Sequence, residues 1–161
     1  MIRFALAAIL ACHFITAGLS QPAFAVEDRA IPFSNEDPEM NAAIAKARTT
    51  LPLFWSKFAN PGPGENRFAL KVRIEDGSNG EHFWVIDIER KGDAIFGTIN
   101  NEPEQVKTVV NGQRIKIDPA QITDWMYMHN GKIVGNETIR PSLSRMPKRQ
   151  ADAFRAMLET P

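Results

Sequence analysis

The chain has 161 residues, of which 43% are apolar and 24% are charged, with 19 basic residues, 19 acidic residues and one cysteine. These values exclude a disordered chain, a collagen-like repeat and a small disulfide-rich scaffold, and the length favours a single domain. The zero formal charge gives no support to nucleic-acid binding, which normally needs a clustered basic excess to replace phosphate counterions.

Residues 1–25 have the pattern of a secretory signal peptide, which is removed from the mature protein. Arg3 supplies the positive start, Phe4–Cys12 forms the apolar segment, and Ala23-Phe24-Ala25 matches a cleavage site. We therefore predict cleavage between Ala25 and Val26. This pattern predicts a periplasmic or secreted protein of a Gram-negative bacterium.

Two alternatives to the signal peptide are a transmembrane anchor and a lipid anchor. The apolar run that begins at Phe4 is interrupted by His13 and falls short of the roughly 20 residues that span a bilayer. Lipid attachment at Cys12 stays open, because residues 9–12 loosely imitate a lipobox. Removing residues 1–25 from the 161 leaves 136 residues without a cysteine or a predicted transmembrane helix, so the hydrophobic core must supply the stability.

The first half of the mature chain predicts a lead segment and a helix. Residues 26–36 lack apolar periodicity and are predicted to be a flexible lead to one domain, residues 37–161. Asp37 is a good N-cap and Pro38 suits the first helical position. Pro52 is predicted to break or kink this helix before a short helical stretch. That stretch carries three aromatic residues that we expect to pack against a sheet: Phe54, Trp55 and Phe58.

From Arg67 the apolar pattern changes to a period of two, which is typical of strands with one buried face. Turns rich in Asn and Gly separate these segments and favour antiparallel pairing. The predicted strands are residues 67–75, 82–90, 94–99, 114–117, 122–128 and 132–134. Residues 104–110 are predicted to form either a helical turn or a short edge strand, and residues 147–158 a C-terminal helix. The pattern predicts an α+β fold with an N-terminal helix, a curled, mainly antiparallel sheet of five to seven short strands, and a C-terminal helix.

Motifs for common reaction types are missing from the sequence. It has no phosphate-binding glycine loop, no G-x-S-x-G elbow and no H-E-x-x-H zinc motif. Candidate metal ligands lack the spacing that brings two imidazoles to one ion, so we predict neither a metal site nor a cofactor. Three residues remain as candidate acid–base groups: His82, Glu102 and Asp124. The alternative for His82 is a histidine at the edge of the core, bonded to a backbone carbonyl.

Asp124 is predicted to point toward an apolar side, because it lies between Ile122 and Met126 on one strand face. Burial raises the pKa of a carboxyl or requires a partner, and we expect a structural ion pair with Arg140. Trp125 and Tyr127 lie on the opposite strand face, so we expect at most one of the two faces to belong to the core.

Charge is unevenly distributed along the mature chain. Residues 27–39 contain five carboxylates against Arg29, and residues 140–155 contain five basic residues against Asp152. A solvated surface explains such runs, and a weak contact with an anionic surface is the alternative. The candidate contact residues are Arg145, Lys148 and Arg149.

An ordered series of motifs resembles the YegJ-like family of bacterial proteins over about residues 37–158. The motifs are Glu81-His82-Phe83-Trp84-Val85, Gly97-x-Ile99-x-Asn101-Glu102-Pro103, Gly112-x-x-Ile115-x-Ile117, Ile122-x-Asp124-Trp125-Met126-Tyr127, Gly131-Lys132-x-x-Gly135 and Thr138-x-Arg140. Because that family is a domain of unknown function, the resemblance implies a fold unit and no reaction. The motif positions it carries over are Glu81, His82, Trp84, Asn101, Glu102, Pro103, Asp124, Trp125, Thr138 and Arg140.

These observations predict a small exported protein of the bacterial envelope that binds a protein or a small-molecule ligand without a cofactor. Large rigid aromatic side chains suit recognition. The binding candidates are Glu81, Trp84, Asn101, Trp125, Tyr127, Thr138 and Arg140. The alternative is an envelope hydrolase or lyase that uses His82 with Glu102 or Asp124 in acid–base chemistry.

Overall fold

The computed structural model describes residues 37–159, and they form an α+β fold as predicted. In chain order the helices and strands are α1 Pro38–Ala59, β1 Glu65–Asp76, β2 Asn79–Lys91, β3 Ala94–Ile99, β4 Arg114–Ile117, β5 Ile122–His129, β6 Lys132–Gly135, α2 Ile139–Ser142 and α3 Lys148–Met157. A short 3-10 turn, Pro119–Gln121, precedes β5. The predicted signal peptide and its cleavage site, Cys12 and the predicted lead segment 26–36 lie outside the described residues.

Helix α1 begins and continues for identifiable reasons. Asp37 Oδ1 accepts hydrogen bonds from the backbone N–H groups of Glu39 and Met40, which satisfies two donors of the first turn. Pro52 lies inside the helix, so the predicted second helical stretch is part of α1 and not a separate element. Proline removes one helical hydrogen bond. Burial of Phe54, which is fully inaccessible to solvent, offsets that cost by holding the end of α1 against the sheet.

The six strands form one antiparallel sheet in the order β4-β3-β2-β1-β5-β6. Register shifts interrupt two of the pairings. The pairing of β1 with β5 is shifted between Asn66 and Ala69 and again between Lys71 and Val72, and the pairing of β2 with β3 is shifted between Ile86 and Glu89. Such irregularities bend a strand and increase its twist, which explains the predicted curl.

One face of the sheet packs against α1 and forms the larger hydrophobic core. The core includes Leu70, Val72, Phe83, Val85 and Ile99, each 2% exposed or less. The aromatic residues of α1 also contribute, as predicted, since Phe54 contacts Trp125 at a ring-centroid distance of 5.8 Å. A second cluster covers the other face at β5 and β6 with side chains from the C-terminal helices, including Ile139, Leu143 and Phe154.

This second layer corrects the expectation for β5. Asp124 is 0% exposed on one side of the strand, while Trp125 and Tyr127 are 3% and 4% exposed on the other. Both faces of β5 are therefore buried, and the prediction that only one could lie in the core is wrong. The physical reason is that chain following β6 folds back over Asp124, which strand periodicity alone does not reveal.

Residues 104–110 form neither of the two structures predicted for them. They lie in an irregular connection between β3 and β4 that is anchored to the sheet. The Glu81 carboxylate accepts hydrogen bonds from the backbone N–H groups of Glu104, Gln105 and Val106. Val106 is 0% exposed, so this connection contributes an apolar side chain to the core.

Candidate functional site

The face of the sheet that points away from α1 is only partly covered by other parts of residues 37–159. The pairing register places Lys71 opposite Trp84, Ile86 opposite Thr98, and Phe96 opposite Lys116, all on the side of the sheet away from α1. Trp84, Ile86 and Phe96 belong to neither hydrophobic cluster of the described chain and are only half-buried. We call this surface the open face. Its residues are Lys71, Arg73, Glu75, His82, Trp84, Ile86, Glu89, Lys91, Phe96, Thr98, Arg114 and Lys116.

Basic groups lie over the aromatic rings of the open face. Lys71 Nζ is 5.2 Å from the centroid of the Trp84 ring, and Arg114 Cζ is 6.0 Å from that of Phe96. Lys91 Nζ is 5.9 Å from the same Phe96 ring. Cations at these distances are attracted to the negative face of the ring, which favours these orientations of the basic side chains.

Carboxylates neutralise only part of this positive charge. Arg73 pairs with Glu75, and Arg114 pairs with Glu89. Within residues 37–159, Lys71 and Lys116 have no carboxylate within 4.0 Å. The open face therefore carries an excess of positive charge, although the whole chain is neutral.

Lys71 stands at the border between the open and covered parts of this face. Its Nζ is 3.4 Å from Thr138 Oγ1, which in turn donates to Asp124 Oδ2 at 2.7 Å. His82 lies nearby, since its Nδ1 is 2.9 Å from Thr123 Oγ1 and Thr123 Oγ1 donates to the Lys71 carbonyl. The fold thus brings four candidates from the sequence around Lys71: His82, Trp84, Asp124 and Thr138.

Asp124 is a buried carboxylate surrounded by donors. Its Oδ1 accepts from the backbone N–H groups of Trp125 and Glu137, and its Oδ2 accepts from the backbone N–H and hydroxyl of Thr138. Burial raises the pKa of Asp124, whereas these bonds and the charge of Lys71 oppose the shift. These contacts tie the segment after β6 to β5.

The predicted ion pair between Asp124 and Arg140 is wrong. Arg140 Nε instead donates to Glu137 Oε2 at 3.1 Å, and Lys46 Nζ lies 3.1 Å from the same oxygen. Asp124 needs no cation because backbone N–H groups and a hydroxyl supply its hydrogen bonds.

His82 is a neutral histidine at pH 7. Desolvation and the positive charges of Lys71, Arg73 and Arg48 lower its pKa to about 4. The residue is exposed at the surface, so water screens part of this effect, and the ring is predominantly neutral with or without that screening. The hydrogen bond of its Nδ1 is made to the Thr123 hydroxyl and not to a backbone carbonyl.

The other candidates make structural bonds away from Lys71. Asn101 Oδ1 accepts from the Trp84 backbone N–H at 2.7 Å, and Glu102 Oε1 accepts from Asn111 Nδ2 at 2.9 Å. Burial raises the pKa of Glu81, but the three backbone donors and Lys107 outweigh it and lower the pKa overall. These contacts hold the connection between β3 and β4 against the sheet.

Trp125 and Tyr127 are buried against α1. Trp125 Nε1 donates to the Ala47 carbonyl at 2.9 Å, and the Trp125 ring stacks on Tyr127 at 6.1 Å. Desolvation raises the pKa of Tyr127. Neither ring is accessible to a ligand in this structure.

The basic C-terminal segment is largely paired with acidic side chains. Arg145 pairs with Asp37, and Lys148 and Arg155 both pair with Asp152. The acidic start and the basic end of the domain therefore meet, which reduces the positive charge that this segment presents. Lys148 and Arg149 remain exposed at the beginning of α3.

The described residues contain no group of three or more His, Cys, Asp or Glu side chains placed to hold a metal ion. No helix between residues 37 and 159 is long and apolar enough to cross a membrane.

Comparison with known proteins identifies the family. Residues 37–158 match a family model described as "Uncharacterized protein conserved in bacteria (DUF2314)". The chain belongs to this family. It is also 37% identical to "Uncharacterized protein YegJ" of Escherichia coli K12 over 145 residues, which cover 90% of this chain and 91% of the relative. The resemblance to YegJ-like proteins noted in the sequence is confirmed.

A second relative places this type of domain in a longer protein. The chain is 32% identical over 126 residues to a "Putative ankyrin repeat protein" of Neisseria meningitidis serogroup B. The match covers 71% of this chain but only 48% of that protein. No solved structure matches the chain significantly.

Sequence reasoning missed Lys71, and it also missed other residues of the open face in this DUF2314 domain, including Ile86, Phe96, Arg114 and Lys116. Lys71 alternates with apolar residues on β1 in the same way as Arg73 and Glu75, so nothing in the pattern distinguishes it. The distinguishing feature is the pairing of β1 with β5, which places Lys71 opposite Asp124 just before a register shift. The Glu81-His82-Phe83-Trp84 motif did give a usable signal, because its alternation separates the buried Phe83 from the half-exposed Trp84.

Proposed function

We propose that this member of the DUF2314 family is a small exported binding protein of the bacterial envelope that works without a cofactor and binds its partner through the open face. The observation that carries the proposal is a half-buried row of Trp84, Ile86 and Phe96 flanked by basic side chains. Apolar and aromatic side chains left uncovered by a domain's own layers are typical of interaction sites.

The placement of the acid–base candidates favours binding over hydrolysis or elimination. Asp124 is fully buried among four donors, and Glu102 is bonded to Asn111 outside the open face. His82 has Thr123, not a carboxylate, as its hydrogen-bond partner. A general acid or base must reach the substrate proton, and these contacts do not direct the three groups toward one reacting atom.

The relative from Neisseria adds a weaker argument. Its printed name describes an ankyrin repeat protein, and about half of its length matches the present chain. Ankyrin repeats stack into extended surfaces suited to protein binding. A domain joined to such repeats fits a role in interaction.

Export is tested on the full chain expressed with a C-terminal tag in a Gram-negative host. Fractionation and N-terminal sequencing are expected to recover a periplasmic protein that begins at Val26. Recovery of a cytoplasmic protein that begins at Met1 would contradict export. Recovery of a protein that begins at a lipid-modified Cys12 would contradict cleavage before Val26 and show a lipid anchor instead.

Binding is tested by affinity capture from an envelope extract. Wild-type protein is compared with Trp84→Ala, which removes the central ring of the open face, and with Gln150→Ala, a matched truncation at an exposed position of α3. A partner retained by wild type and Gln150→Ala but lost by a folded Trp84→Ala protein is the expected result. Equal capture by all three proteins would contradict the use of the open face.

A further inference from the structure

The side chains of the open face are arranged by strand. Most basic groups stand on its outer strands, with Lys71 and Arg73 on β1 and with Arg114 and Lys116 on β4. Lys91, at the end of β2, is a further cation and pairs with Glu89. The two inner strands carry Trp84 and Ile86 on β2 and Phe96 and Thr98 on β3. Strands in a sheet lie about 4.8 Å apart, so the two basic rows are separated by roughly 14 Å with apolar surface between them.

The arginines of both rows already bind carboxylates. The Arg73 guanidinium holds Glu75, and the Arg114 guanidinium holds Glu89. Both carboxylates are substantially exposed, at 56% and 43%, so an incoming carboxylate can displace them without opening the core. Lys116 is exposed and unpaired among the described residues, which adds a free cation to the β4 row.

We propose that the open face binds an acidic segment of a partner protein in which two carboxylate groups flank a short apolar stretch. The carboxylates bind the basic rows on β1 and β4, and the apolar stretch covers Trp84, Ile86 and Phe96. An extended chain rises about 3.3 Å per residue, so roughly four residues separate the two acidic positions. This inference rests on the proposed function and specifies the chemistry of the partner.

A polypeptide fits this pattern better than a polyanion. Nucleic acids and anionic lipid surfaces present closely spaced phosphates and attract a continuous basic patch. Here four of the cations stand in two rows on β1 and β4 with half-buried apolar side chains between the rows. Two carboxylates, Glu75 and Glu89, lie among the cations. Alternation of acidic and apolar side chains within one ligand is a property of proteins.

The first test measures binding of the blocked peptide EELAVLEE to the full mature protein. Two control peptides are QQLAVLQQ, which lacks the charges, and EEEELAVL, which keeps the charges but loses the flanking arrangement. NMR spectra follow the indole N–H signals of the three tryptophans. We expect the first peptide to bind most tightly and to shift the Trp84 signal while leaving that of buried Trp125 unchanged.

Charge variants assign the binding to the open face. Lys71→Gln with Lys116→Gln removes one cation from each row, and Lys148→Gln with Arg149→Gln removes two cations from α3 as a matched control. The first pair is expected to weaken peptide binding about fivefold to tenfold and the control less than twofold. Because Lys71 also contacts Thr138, the single variant Lys116→Gln provides a second measurement at an exposed side chain.

Three outcomes would overturn the acidic-segment inference. The control peptide EEEELAVL could bind as tightly as EELAVLEE, the variants of the open face could leave peptide binding unchanged, or the protein could bind phosphatidylglycerol vesicles without binding any peptide. Capture of a partner that requires Trp84, combined with failure of the peptide, would remove this inference and leave the proposed function intact. Absence of any Trp84-dependent partner would contradict the proposed function itself.

Discussion

Replacing Asp124 by Asn tests the account of the buried carboxylate, because the two side chains have nearly the same shape. Each carboxylate oxygen accepts two hydrogen bonds, from Trp125 and Glu137 at Oδ1 and twice from Thr138 at Oδ2. Asparagine replaces one of these oxygens by an NH₂ group, which then faces donors in either orientation of the amide.

The expected cost follows from the donors that lose their acceptor. The Thr138 hydroxyl can rotate to accept from the new amide, but a backbone N–H cannot. One or two buried N–H groups therefore stay unsatisfied, at about 1–3 kcal/mol each, so we expect a loss of about 2–4 kcal/mol in the free energy of unfolding. For a domain of this size that corresponds to a Tm decrease of roughly 8–15 °C.

Urea denaturation followed by circular dichroism measures this loss. Asp152→Asn is the matched control, since Asp152 is an exposed carboxylate that pairs with Lys148 and Arg155 on α3. Exposed ion pairs contribute about 0.2–1 kcal/mol, so the control is expected to lose less than about 1 kcal/mol per pair. An Asp124→Asn protein as stable as the Asp152→Asn protein would refute a structural role for the buried carboxylate.

Three further substitutions test other parts of the structure. Gly135→Ala is expected to lose about 2–4 kcal/mol of stability, because φ is +81° and a Cβ would lie 2.5 Å from the Trp125 carbonyl oxygen. Gly131→Ala is the control: φ is +80° there, a Cβ would enter open space, and the expected loss is only about 1 kcal/mol. Equal losses in the two thermal melts would contradict the close approach at Gly135. Trp125→Ala is expected to lose about 3–5 kcal/mol in urea denaturation, against less than half of that for the half-exposed Trp84→Ala, and the reverse order would contradict the assignment of the two sheet faces. The pKa of His82 is about 4 in the folded state against an ordinary value of 6.5, so the unfolded chain takes up the proton first and the wild type loses stability as the pH falls from 6.5 to 4. The His82→Gln protein is expected to lose up to about 2 kcal/mol less stability over that interval, after allowance for solvent screening. Identical pH profiles of Tm for the two proteins would rule out a neutral His82 as the cause.

The regular part of the fold follows from local sequence patterns. Alternation of apolar and polar residues predicts the strands, and Asn-Gly pairs predict turns such as Asn130-Gly131, where both residues have positive φ. Asp37 and Pro38 predict the start of α1, because a cap and a first-turn proline act within a few residues.

Contacts between distant segments explain the errors. Whether Pro52 ends α1 depends on how firmly Phe54 is buried, and that is a property of the sheet beneath it. The partner of Asp124 depends on the turn at Gly135 and Asn136, both with positive φ, which directs the Thr138 N–H toward the carboxylate. The sequence suggested Arg140 as the partner because its opposite charge is visible in a sequence, whereas the direction of a backbone N–H is not.

The candidate site was only partly predictable for the same reason. Trp84 and His82 share a strand face by simple alternation, so their proximity follows from the sequence. Lys71 lies beside them because β1 pairs with β2. Whether Lys71, His82 and Trp84 are exposed depends on how far α2 and α3 extend across the sheet. A layer that covers β5 and β6 but leaves β2 and β3 open has no counterpart in local periodicity.

Photo-crosslinking in living cells tests the central claim, that the open face is the binding surface, most directly. A photoreactive amino acid replaces Thr98, in the middle of the open face, and in a separate protein it replaces the exposed Gln150 on α3. We predict a discrete crosslinked partner from position 98 and none from position 150. Crosslinks from position 150 alone, or none from position 98 in a folded and exported protein, would contradict the claim.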